Sequence, residues 1–126
     1  MYFSHFSQIP DYLWHWPSFS KKELASRGGG SFLLVESALD KLQSARNLMN
    51  NEFIIHSAYR DPLHNARIGG APLSRHKYGD AFDIGIKNHN KEELYNICLQ
   101  VGFSGFGFYP SFLHVDCGPK RHWGSW

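Results

Sequence analysis

A small α+β domain, with helices packed on one side of a mainly antiparallel sheet, is what this sequence of 126 residues predicts. Three observations carry that expectation. Apolar residues recur at spacings of three and four in two separate stretches, the mark of helices with one buried face. Short β-rich runs lie between and after those stretches. The resulting order is helices, strand, loop, strand, helix and a closing hairpin, which suits helices laid on a single small sheet.

The elements follow in order along one predicted domain, residues 1–126. The opening "MYFSHFSQIPDYLWHWPSFS" is aromatic and broken by Pro10 and Pro17, so residues 1–18 read as an irregular segment. It lacks the basic start and apolar core of a secretory signal, and the expectation is synthesis in the cytoplasm without a signal peptide. Ser20 and Glu23 have capping-box spacing and start a short helix at Lys21, which "RGGG" from Arg27 to Gly30 ends. Val35, Ala38, Leu39, Leu42, Ala45 and Met49 form the stripe of a long helix. "FIIHS", residues 53–57, reads as a core strand. Residues 58–75 hold "RDPLHN", "IGG" and "AP" and read as a long loop, which in a small domain is usually functional. A strand follows around Asp80–Ile84. Asn90 caps a third helix whose buried stripe is Leu94, Ile97, Cys98 and Val101 and whose stop is Gly102. Two strands near Gly105–Tyr109 and Phe112–Cys117, joined at Pro110–Ser111, close the chain.

Composition narrows the function. Hydrophobic residues at 42% and charged residues at 19% suit a globular core. A net charge of +2 is too mild to argue for a nucleic-acid partner. No apolar run reaches membrane-spanning length, so no membrane insertion is expected. A monomer is the expected state. Cys98 reads as a core filler and Cys117 as a strand end, without the density of a disulfide framework. Eight histidines raise the prospect of a metal site, although most suit the surface.

The chemistry concentrates in "SRHKYGDAFDI". Asp83 sits in an apolar strand, where a charge needs a partner. A turn at Gly79 separates it from His76, and that connection can fold back to join imidazole and carboxylate. In "FLHVDCG", His114 and Asp116 are two apart on a strand and share a face. A His–Asp–His set with a fourth position open to water is what a catalytic zinc site needs. The residues alone leave alternatives open: Asp83 paired with Arg60 or Arg67, and histidines that are ordinary core or surface residues.

Ser74, His76, Gly79, Ala81 and Asp83 match S-x-H-x-x-G-x-A-x-D in full. "HSAYRDPLHNARIGGAPLSRH", "GFGFYPSFLHVDCGPKRHW" and "FSKKELASRGGG" lie around it in the matching order. From about Phe19 to Trp123 the chain resembles the zinc D-alanyl-D-alanine carboxypeptidase family of peptidoglycan peptidases, in the branch that ends in His-x-Asp. That resemblance implies a hedgehog-like fold and one zinc ion held by His76, Asp83 and His114. It also places Arg60 beside the site, for a substrate carboxylate or the oxygen of a tetrahedral intermediate. Several family members carry an acid three residues before the last histidine as general base; here that position is Ser111. Asp116 is the remaining candidate for the base, with orientation of a ligand or coordination of the metal as its other readings. Ser74 and Tyr59 are candidate substrate contacts. Tyr78, Tyr109 and Trp123 are candidate cleft walls, and His56, His64, Asn65 and His122 optional members.

The expected function is a zinc peptidase that cuts peptidoglycan stem peptides, as a D,D-carboxypeptidase or an endopeptidase. Small size and the missing export signal suit a phage-type lysis enzyme or one carried on a virion. The rival expectation is a zinc-containing binding or virion structural module without turnover.

Overall fold

The computed structural model describes residues 1–126, and it is an α+β structure. Its helices are α1 (Lys21–Leu24), α2 (Glu36–Met49), α3 (Pro62–Arg67) and α4 (Lys91–Val101). The strands are β1 (Tyr2–Phe3), β2 (Phe32–Leu33), β3 (Ile55–Ser57), β4 (Ala81–Gly85), β5 (Gly105–Phe108), β6 (Phe112–Asp116) and β7 (Arg121–Gly124). The main sheet has the order β3-β4-β6-β5-β7. All its pairings are antiparallel except β5 with β7. No helix is long and apolar enough to cross a membrane.

Strand periodicity divides the sheet into two faces. Phe82, Ile84, Leu113, Val115 and Phe106 point to one side, into a core shared with Ala38, Leu39, Leu42 and Ala45 of α2 and Leu94 and Cys98 of α4. The other face carries a polar row. Asp83 lies opposite Ser57 on one side and His114 on the other, and Gly107 and Trp123 continue the row. A second row runs Ala81, Asp116, Gly105 and Arg121. The phenylalanines of "SGFGFYP" thus face the core and its glycines face the polar side.

Several local expectations meet their structural reasons. The capping box at Ser20 and Glu23 is present, as is the Asn90 cap on α4. The strand expected over residues 53–57 begins only at Ile55, although Phe53 is buried. The long loop 58–75 contains α3, because Asp61 accepts from the His64 N–H as N-cap and Pro62 stands at the first turn. Residues 1–18 are not merely irregular: β1 pairs with β2, two 3₁₀ turns follow, and Ile9 and Trp16 are buried in the core. β7 has no counterpart in the sequence reading. Cys98 and Cys117 are free thiols, and burial pushes the Cys98 thiol up to about 12.

Candidate metal centre and active-site cleft

His76 rides on a 3₁₀ turn, Arg75–Tyr78, that Ser74 caps by accepting the His76 N–H at 3.3 Å. Gly79 ends the turn with φ 73°, a left-handed conformation, and a Cβ there would press on the Leu33 carbonyl. The turn therefore lands His76 over Asp83 on β4, and Asp83 is already paired in register with His114 on β6. His76, Asp83 and His114 are all buried, and one donor atom from each lies within 4.8 Å of the others.

The hydrogen bonds decide which atoms converge. His76 Nδ1 lies 2.6 Å from the Ala58 carbonyl, which only accepts, so Nδ1 carries the proton. Its Nε2 lone pair then faces Asp83 Oδ1 at 3.1 Å. His114 Nε2 lies 2.7 Å from Asp116 Oδ2 and Nδ1 lies 2.9 Å from the same Asp83 oxygen; with the proton on Nε2, the Nδ1 lone pair faces that oxygen. Two lone pairs aimed at one carboxylate oxygen repel unless a proton or a cation lies among them. Two imidazole nitrogens, a carboxylate and hydrogen-bonded outer nitrogens are a donor set that fits zinc.

The electrostatics agree. Burial alone would push the Asp83 carboxyl up, but hydrogen bonds from His114 and His76 outweigh it and hold the group down at about 2. Burial would lower His114, yet its bonds to Asp116 and Asp83 raise it above 6.5. Both shifts favour positive charge beside the Asp83 carboxylate, the charge that a cation would supply.

Asp116 is fully buried and lies behind His114. Its Oδ1 accepts from the Gly118 N–H at 2.9 Å and from Arg121 at 2.9 Å. Its Oδ2 accepts from Arg121 at 2.8 Å as well as from His114. Burial is again outweighed, by His114, Arg121 and the Gly118 N–H, and the carboxyl is held well below the usual carboxylate range. Neither oxygen is left free for a proton from water.

A cleft of about 510 Å³ opens over the cluster, walled by Arg60, Ser74, Arg75, Tyr109, Arg121 and Trp123 among others. Asp83 is the only carboxylate on its lining. Arg60 is tethered by Nε to Ser57 Oγ at 3.0 Å and reaches Asp83 Oδ2 at 3.5 Å. Asp80 does not pair with Arg60; its carboxylate takes a two-pronged contact from Arg75. Asp61 accepts from Ser26 instead.

Tyr59 departs from its expected place. It is 7% exposed and absent from the cleft wall, and burial raises its pKa. Tyr78 is exposed under the Arg75 guanidinium, and Asn65 is buried and donates to the Ala71 carbonyl at 2.9 Å. His56 is exposed against Phe112, His64 packs on Gly28, and His122 is exposed. Sequence reasoning missed Arg75 and Arg121. Arg75 and Asp80, and likewise Asp116 and Arg121, lie five residues apart, a weak signal in both cases, and the second pair also depends on how β7 joins the sheet.

Comparison with known proteins adds an independent line. The chain is 37% identical over 57 residues to the peptidoglycan L,D-endopeptidase MepK of Escherichia coli K12, covering 44% of this chain and 31% of that one. It is 31% identical over 91 residues to the zinc D-Ala-D-Ala carboxypeptidase of Streptomyces albus G, covering 68% of this chain and 36% of that one. It therefore spans about a third of the length of these curated relatives. The family model for peptidase M15 matches residues 17–117, a span that holds all three residues of the cluster and Asp116 behind them, and so the chain belongs to the peptidase M15 family.

Proposed function

We propose that this chain is a zinc-dependent peptidase that cuts peptide bonds in the stem peptides of bacterial peptidoglycan, as a D,D-carboxypeptidase or an endopeptidase. The observation that carries the reading is the convergence of two imidazole nitrogens, His76 Nε2 and His114 Nδ1, on one Asp83 oxygen under an open cleft. His76 Nε2, an Asp83 oxygen and His114 Nδ1 would hold a single zinc ion, with the cleft side left open. Zinc bound there supplies a Lewis acid that polarises the scissile carbonyl and makes water reactive at neutral pH.

The chain's own residues would position the substrate and the metal ligands. Arg60, held by Ser57, presents a guanidinium for a substrate carboxylate or a developing oxyanion. Ser74 borders the cleft and anchors the turn that carries His76. Asp116 orients His114 rather than serving as the base, which is supported by the full engagement of both its oxygens. The printed names of the relatives support a peptidoglycan substrate. The reading extends to a hedgehog-like fold, a monomer, and phage-type action on the cell wall.

Digestion of purified peptidoglycan with mass analysis of the fragments tests it. Release of terminal D-alanine identifies a carboxypeptidase, and cut cross-links or stems an endopeptidase. A zinc-holding binding or virion module without turnover is the second reading, favoured by one observation: no carboxylate but Asp83 faces the cleft. Bound zinc with no fragments from several peptidoglycan types would select it.

A further inference from the structure

We infer that Arg121 is a positioning residue of the metal centre: by clamping Asp116 it selects Nδ1 of His114 as the ligating nitrogen. The inference rests on the zinc reading above. Asp116 has no exposure to solvent, so its carboxylate cannot draw on water to settle its orientation. The guanidinium supplies two parallel N–H bonds, at 2.9 and 2.8 Å, one to each oxygen. Such a fork sets the plane of a carboxylate, which a point charge does not. With the plane set, Oδ2 stands 2.7 Å from His114 Nε2, a fixed acceptor that favours the proton there over Nδ1, which lies 2.9 Å from Asp83 Oδ1. The other nitrogen, Nδ1, is then the one with a lone pair for the cluster.

Three features of the sheet show that the site is built around this clamp. Gly105 lies in register with both Asp116 and Arg121, and a Cβ there would overlap the Asp116 carboxylate and the Arg121 guanidinium. The guanidinium also lies over the Trp123 ring, at 5.0 Å, and that ring is 5.1 Å from His114. Finally, β7 joins β5 in parallel, which lays Arg121 beside Gly105 in the same row as Asp116. Arg121 also lines the cleft, so a purely substrate-binding role is the competing account.

The test uses the full chain and two readouts. Zinc affinity is measured by chelator competition for the unmodified protein, R121K and R121M, with the fold checked by circular dichroism. Long-range ¹H–¹⁵N correlation of the zinc-loaded unmodified protein shows which His114 nitrogen bears hydrogen. The expected result is a proton on Nε2, zinc on Nδ1, and zinc affinity reduced about 10–100-fold in R121M, the usual cost of losing a group behind a metal ligand. R121K should also bind more weakly, since it keeps the charge and loses the fork. Unchanged zinc affinity in a folded R121M, with only the substrate KM raised, overturns the proposal in favour of substrate binding. If R121M does not fold, R121K decides by the same criterion, and zinc found on His114 Nε2 overturns the proposal with no variant at all. An unmodified protein that binds no zinc overturns the reading underneath, an outcome distinct from tight binding by the variants.

Discussion

His76 is held at both ring nitrogens, by the Ala58 carbonyl and by the Asp83 cluster, so its loss removes a donor that nothing nearby replaces. Purified protein should contain about one zinc per chain, as a single three-ligand site requires, and His76→Ala should contain almost none. Full zinc occupancy in that variant would sink the ligand assignment. Arg60 is a different case. Its fork is split between Ser57 and Asp83, and Arg60→Lys keeps a charge but not two directed donors. Turnover of peptidoglycan should fall while zinc content and fold hold; unchanged turnover would make Arg60 a structural bridge. For Asp116 the sequence suggested a base, whose loss costs roughly 10²–10⁴-fold in rate with the metal retained. The geometry points elsewhere. Asp116→Asn keeps the shape but offers one acceptor where four donors converge, so zinc affinity and activity should fall together. An Asn variant that holds zinc normally and yet loses turnover would restore the base role.

Strand β5 shows how an element serves the site without contributing a functional side chain. Its phenylalanines enter the core, and its two glycines leave room for partners from neighbouring strands. Gly105 makes room for the Arg121–Asp116 pair, and a Cβ at Gly107 would strike the Trp123 indole at 2.7 Å. Gly105→Ala needs no unusual backbone, so its effect isolates the steric role. It should destabilise the fold by about 1–3 kcal/mol, the usual range for overpacking, and weaken zinc binding in the same variant. Melting temperature and chelator competition measure both. Normal zinc binding would show that the clamp tolerates displacement. The turn from Ser74 to Gly79 is the complementary element, since a cap at one end and a left-handed glycine at the other aim one histidine at the sheet.

For the whole molecule, the cluster links stability to pH and to metal. Asp83 is held at about 2, below its ordinary 3.8. A carboxylate depressed on folding contributes stability that is complete above the ordinary value and lost as pH falls through the folded one. His114 has the opposite sign: raised above 6.5, its contribution is complete below 6.5 and lost as pH rises through the folded value. These two groups therefore stabilise the metal-free chain most between about pH 4 and pH 6.5. Zinc competes with the shared proton, so the rise in melting temperature on adding zinc should be larger at about pH 8 than at about pH 6. Melting curves with and without zinc check this, and an equal rise at both pH values would contradict proton–metal competition.

What the sequence by itself determined was local or periodic. The helix stripes, the caps at Ser20 and Asn90, and the turn at Gly79 depend on neighbours within a few residues, and all three appear in the structure. The ten-residue spacing from Ser74 to Asp83 is legible for the same reason, because one turn and one strand suffice to join its ends. Even α3, which the sequence reading passed over, had its signal in Asp61–Pro62. The tertiary structure decided the rest. Asp116 lies behind His114 with Arg121 forked on both its oxygens, and that contact is made where β7 pairs in parallel with β5. Tyr59 and Arg60 are adjacent in the chain, yet one is buried beside Ser31 and the other lines the cleft. A hydrogen bond is settled within a few tenths of an ångström and by direction. Strand order, register and the packing of distant segments set that geometry, and no short stretch of sequence encodes them.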